Sequence, residues 1–97
     1  MNSNDLQYYL KYRKFYNKYR KIRHIKLMQD PLCERCIEKN PPIIKSAQEV
    51  HHKKHISEGL TYEQKYILAT DINNLESLCI DCHTLEHNKY NIPSEFW

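Results

Sequence analysis

A chain of 97 residues with mean hydropathy −0.84 and formal charge +3 has room for one small core and no run apolar enough to cross a bilayer. A core of that size is marginal without a staple, and four cysteines make disulfides or a bound metal the staples to weigh. The opening MNSNDLQYYLKYRK is polar and then basic, without the apolar stretch of a secretory signal, so a cytoplasmic chain with reduced thiols is expected, which favours metal.

From Tyr8 to Met28 the apolar side chains Tyr8, Tyr12, Phe15, Tyr19 and Ile22 recur at spacings of four and three, which predicts a helix. Along it run Lys11, Arg13, Lys14, Lys18, Arg20, Lys21, Arg23 and Lys26, with Asp5 the one acid among the first 27 residues. The remaining seventy residues hold seven cations and eleven acids. A charge polarised in this way predicts that the eight cations meet a polyanion such as DNA or RNA. The tyrosine stripe alone reads as core packing beneath a solvated basic face. Pro31 ends the helix, because the residue before a proline is pushed out of the α region.

DPLCERC then makes a short knuckle, and the adjacent prolines of EKNPPII mark a loop. AQEVHH reads as a strand running into a turn. Thr61-x-x-Gln64 is a capping box, which predicts a short helix at about 62–69 inside a long connection. NLESLC reads as a second short strand. After Cys82 nothing breaks a helix through HTLEHNKY until Pro93.

Cys33-x-x-Cys36 and Cys79-x-x-Cys82 share the spacing that lets both thiolates of one turn reach a single ion. Four thiolates fill a tetrahedral zinc shell and leave no position for a substrate, so this site is expected to be closed and structural. It would tie the end of the first helix to the start of the last across 42 intervening residues. On a helix, His83 and His87 stand at i and i+4, close enough to grip one ion. His51 and His52 are neighbours, so on a strand their rings point to opposite faces. One is then expected to ligate while the other stays free, and a free neutral imidazole beside a metal suits a general base. Three histidine ligands with open positions describe a catalytic metal centre. The plainer reading of the same four histidines is an inert metal-binding or packing cluster. His24 and His55 read as surface residues, touching phosphate at most.

These parts together resemble the HNH nucleases, whose ββα-metal (His-Me finger) pattern runs from a His-His or Asp-His strand end, through Asn-Leu on a second strand, to a helix opening with Cys-x-x-Cys-His. Here the pattern is EVHH at 49–52, NL at 74–75 and LCIDCHTLEH at 78–87. The upstream DPLCERC after a basic, tyrosine-rich helix further resembles small phage-encoded HNH endonucleases found near DNA-packaging genes. The resemblance implies a small, zinc-stabilised α+β fold in one domain over 1–97, with the basic helix in 1–30 and the four-cysteine site plus the ββα-metal motif in 31–97. It implies His51 as first metal ligand, His52 as general base, and Asn74 as the residue that orients the base-bearing loop or contacts the metal. His83 matches the final ligand of the family name, and His87 an additional ligand of some branches. Two departures stand out: the connection between His52 and Asn74 is long and lacks a Gly-rich turn, and the upstream aromatic, often Trp, is Tyr19.

The implied activity is metal-dependent hydrolysis of phosphodiester bonds in double-stranded DNA. A structural zinc in the four-cysteine site and a catalytic magnesium, manganese, nickel or zinc ion go with it. Nothing separates base-reading side chains from the backbone-binding cations, so weak sequence preference and nicking by a single site are expected. A phage terminase is the implied packaging partner. The rival reading keeps the four-cysteine site and the basic helix in a zinc-stabilised DNA-binding or adaptor module without activity.

Overall fold

The computed structural model describes the backbone of residues 3–89 and the side chains of residues 13–88. The side chains of Lys11, Tyr8 and Tyr12, and the end of the last stretch toward Pro93, lie outside the described residues. Helix α1 spans Ser3–Gln29 and starts before Tyr8, since no glycine or proline precedes it to stop the helix. At about 1.5 Å per residue it is roughly 40 Å long, much of the molecule's 56 Å longest dimension. Its aromatic stripe is the anchor. The Phe15 ring centroid lies 6.3 Å from that of Tyr62 and 5.8 Å from that of Tyr66, while Tyr19 stacks on His52.

Past Pro31 the knuckle contains a single helical turn, α2 (Glu34–Ile37), with Cys33 as its N-cap. The loop behind it folds back on main-chain bonds. The Cys33 N–H donates to the Lys45 carbonyl at 2.7 Å, Ala47 N–H to the Pro31 carbonyl at 2.8 Å, and Ile43 N–H to the Cys36 carbonyl at 2.9 Å. These bonds satisfy the backbone of a segment too rich in proline to form a ladder.

Strand β1 (Glu49–His52) pairs antiparallel with β2 (Leu75–Leu78), with Val50 opposite Ser77, His51 opposite Glu76, and His52 opposite Leu75. Between them come a 3-10 turn at Ile56–Glu58, helix α3 (Tyr62–Thr70) and a second 3-10 turn at Ile72–Asn74. The capping box forms as the sequence predicts: Thr61 Oγ1 accepts from Gln64 N–H at 3.1 Å, and Gln64 Oε1 accepts from Thr61 N–H at 3.4 Å. Gly59 is buried at the entry to α3, where an added Cβ would sit 2.8 Å from the Lys65 backbone nitrogen. Helix α4 (Ile80–Lys89) follows β2 directly.

The fold is a small α+β arrangement, a two-stranded sheet followed by α4 and preceded by the basic helix. Its core is slight. Among the described residues the buried apolar side chains are Val50, Ala69, Leu75, Leu78 and the four cysteines, so half of that set is thiol. A core of this composition is slight for a chain of this length, and a metal held by the thiols would add folding free energy.

Candidate metal centres and cleft

The two Cys-x-x-Cys turns meet. All four cysteines are buried free thiols, and their sulfurs lie within 4.8 Å of one another. Cys36 Sγ stands 3.8 Å from both Cys79 Sγ and Cys82 Sγ. Ligands placed about 2.3 Å from a tetrahedral ion are about 3.8 Å apart, so the thiols stand at the edge length of a zinc–thiolate centre. Burial opposes ionisation at Cys33, but backbone N–H groups of Cys79 and Cys36 and the neighbouring thiols bring its pKa down to about 7. At Cys82 burial acts first, and the other sulfurs help push it up to about 12.

Both residues inside the first knuckle are used. Glu34 accepts from the Ser77 N–H at 2.5 Å and pairs with Lys26 at 3.3 Å, joining α1, α2 and β2. Arg35 reaches the other way, donating to Glu76 on β2 through Nε at 3.2 Å and Nη2 at 3.0 Å, and to Glu86 on α4 through Nη1.

A second group of donors comes from β1 and α4. One ring nitrogen each from His51, His83 and His87 falls within a common 4.8 Å. His83 and His87, one turn apart on α4, bring their Nε2 atoms to 2.8 Å, a hydrogen-bond distance. Two nitrogens on one ion would stand about 3.3 Å apart, a small rotation away. His51 is buried on β1, with ring centroids 6.3 Å from both. Burial drives the His51 pKa down to about 4 and lowers those of His83 and His87. All three imidazoles are therefore neutral at pH 7, the form that ligates a metal. The donor set suits a divalent ion.

His52 faces away from this trio, as alternation along a strand requires. Its ring stacks on Tyr19 and its Nε2 lies 3.3 Å from the Ala69 carbonyl. A carbonyl only accepts, so Nε2 carries the proton and the lone pair is at Nδ1. Burial lowers its pKa, which keeps the ring neutral at pH 7. Because β1 ends here, His51 and His52 still border one cleft of about 410 Å³, shared with Lys53, His55, Ser57, Glu58, Glu86 and His87. His55 thus lines the cleft, its Nδ1 accepting from the Ser57 N–H at 3.1 Å.

Asn74 sits in the 3-10 turn, one residue before the strand expected to contain it. The cause is its side chain. Oδ1 accepts from Lys54 N–H at 2.8 Å, while Nδ2 donates to the carbonyls of Lys54 at 3.0 Å and Leu68 at 2.8 Å. Asn74 clamps the loop that follows His52, and its amide is fully occupied there.

The seven cations of α1 with described side chains separate into two sets. Lys26 is buried and paired with Asp30 at 2.6 Å as well as with Glu34. Arg23 donates to the Gln48 carbonyl at 3.0 Å and reaches Glu49 at 3.5 Å. Both are spent inside the fold, whereas Arg13, Lys14, Lys18, Arg20 and Lys21 are exposed. Asp30, four residues after Lys26, was the signal in the sequence that could have singled Lys26 out. Arg35 and Glu86 carried no such signal, being joined across 51 positions. Among the described residues no helix is long and apolar enough to cross a membrane.

No curated protein and no solved structure matches the chain. The family model for HNH endonuclease matches residues 33–89, which take in both cysteine turns, the sheet and α4. With more than half of its length matched and the ββα order in place, the chain belongs to the HNH endonuclease family.

Proposed function

We propose that this chain, as one nuclease domain, is a metal-dependent endonuclease that hydrolyses phosphodiester bonds in double-stranded DNA. The observation that carries this reading is the convergence of three neutral histidine donors, two of which, His51 and His87, border one cleft with the differently oriented His52.

His51, His83 and His87 hold a divalent ion, for which magnesium, manganese, nickel and zinc are the candidates. When bound, that ion supplies positive charge at the scissile phosphate and the leaving 3′ oxygen. His52 takes a proton from the attacking water at Nδ1, with Nε2 anchored on the Ala69 carbonyl. Asn74 fixes the loop behind His52. Products carry 5′-phosphate and 3′-hydroxyl ends. Cys33, Cys36, Cys79 and Cys82 hold a structural zinc and take no part in the chemistry.

The exposed cations of α1 bind the DNA backbone, Arg13, Lys14, Lys18, Arg20 and Lys21 foremost, with Lys11 on the same helix. Phosphate contacts position without reading bases, so sequence preference is weak and a single site nicks one strand. A role in phage DNA packaging beside a terminase rests on the resemblance of the knuckle and basic helix to small phage nucleases.

The test is nicking of supercoiled plasmid by protein stripped at the histidine centre, with each of the four metals added back. Nicking restored by a metal supports the reading. DNA binding without nicking under every metal points instead to a zinc-stabilised adaptor.

A further inference from the structure

The family pattern accounts for the cysteines and the histidines but leaves unexplained a charged network buried between them. Glu86 is 6 % exposed on α4, beside the ligand candidate His87. A carboxylate so buried is costly unless paired. Its partner is the guanidinium of Arg35, which sits inside the first cysteine turn. The other oxygen of Glu86 lies 3.8 Å from His51 Nε2. Arg35 also holds Glu76 at 3.0 Å, and Glu76 stands directly opposite His51 in the sheet register. One guanidinium therefore grips the residue across from His51 and the carboxylate beside its ring.

Glu86 is close to His51 without joining the convergent donors. Among the described residues that set is His51, His83 and His87, with the carboxylate outside it. At 3.8 Å the contact with His51 is beyond hydrogen-bond length and acts through charge. A carboxylate held beside a ligating imidazole favours one orientation of the ring and raises its basicity toward the ion. The forked geometry matters as well: only a planar, multi-donor group spans Glu76 and Glu86 together.

We propose that Arg35 and Glu86 form a positioning relay that holds His51 in place for metal binding and ties the three-histidine centre to the four-cysteine knuckle. The inference rests on the reading of the three histidines as a metal centre. Neither residue touches substrate, and both act through His51. The knuckle then has a second task besides stapling the fold, since it carries the arginine that sets the outer face of the other centre.

The experiment is a cobalt titration without DNA. Zinc is retained in the cysteine site and cobalt(II) is added to the histidine centre, read by its visible ligand-field band. Sulfur-to-cobalt charge transfer in the near ultraviolet reports any exchange into the cysteine site. Glu86→Gln, which keeps the shape and loses the charge, is expected to weaken cobalt binding by about 10- to 100-fold, with zinc content and the folded circular-dichroism spectrum unchanged. Arg35→Lys, which keeps the charge and loses the fork, is expected to weaken it in the same direction. Cobalt affinity equal to the natural protein's in Glu86→Gln overturns the relay, and so does a loss of zinc in step with the loss of cobalt. Failure of the natural protein to bind cobalt at the histidines overturns the metal-centre reading instead.

Discussion

Tyr19 lies nearly flat against His52, with ring centroids 5.5 Å apart and planes inclined by 25°. The stack reaches from α1 to the end of β1, so the basic helix is also one wall of the His52 environment. A stacked aromatic pair is worth about 0.5–1.5 kcal/mol beyond its burial, which is roughly a two- to tenfold bias toward the held orientation. Tyr19→Leu, which keeps apolar volume and loses the plane, should lower the nicking rate by about that factor. Tyr19→Phe should leave it near the natural value. Rates for both, measured at saturating metal, separate ring stacking from the hydroxyl.

Asn74 is replaced at a cost that no near-isostere avoids. Asn74→Asp keeps the acceptor for Lys54 N–H and strips the donor from the Lys54 and Leu68 carbonyls. Asn74→Ala removes both. Unsatisfied partly buried groups cost about 1–3 kcal/mol, so both variants should melt lower by on the order of ten degrees. Thermal unfolding followed by circular dichroism checks this.

Charge reversal or removal on α1 should divide along burial. Lys18→Ala and Lys21→Ala, at exposed positions, should each weaken DNA binding uniformly across sequences. Each should lower the slope of log affinity against log salt by about 0.9. Lys26→Met should leave that slope alone and destabilise the fold, because Asp30 and Glu34 lose their shared partner. Affinity measured over a range of salt, beside a melt of each variant, distinguishes the two classes.

Much of this was legible in the sequence because it is local. The Thr61–Gln64 box, the paired Cys-x-x-Cys spacing and the i,i+4 histidines each act over four residues or fewer. The alternation that sends His51 and His52 to opposite faces is a property of any strand. What escaped is what tertiary packing decides. Lys26 is a cation like its neighbours until the knuckle closes over it with Glu34. Arg35 and Glu86 are brought together only when α2 and α4 meet. The sequence predicts a strand at Asn74, whose side-chain bonds to Lys54 and Leu68 hold it in the preceding turn.

Acid should weaken the protein stripped at its histidine centre. Burial holds the folded His51 pKa at about 4, against an unfolded value of 6.5. The unfolded chain therefore takes up the proton first as pH falls, and His51 disfavours the folded state progressively from about 6.5 to 4. Above 6.5 the group is neutral in both states and contributes no pH dependence. Denaturant midpoints should fall across that window and recover in part in His51→Gln.

Loss of the metal proposed for the four cysteines should be more drastic. Half of the buried apolar set is thiol, and structural zinc supplies folding free energy outright. Cys36→Ser, or a chelator strong enough to strip the thiolates, should abolish cooperative unfolding. Metal content and far-ultraviolet circular dichroism on one sample provide the check.

In the proposed function His52 performs the chemistry while His51, His83 and His87 hold the ion. The most direct measurement is the single-turnover cleavage rate of His52→Ala beside the natural protein, with cobalt spectra showing the histidine centre loaded in both. The account predicts equal loading, equal DNA affinity and a rate lower by about a hundredfold to ten-thousandfold. An unchanged rate in a properly folded, metal-loaded His52→Ala would contradict it.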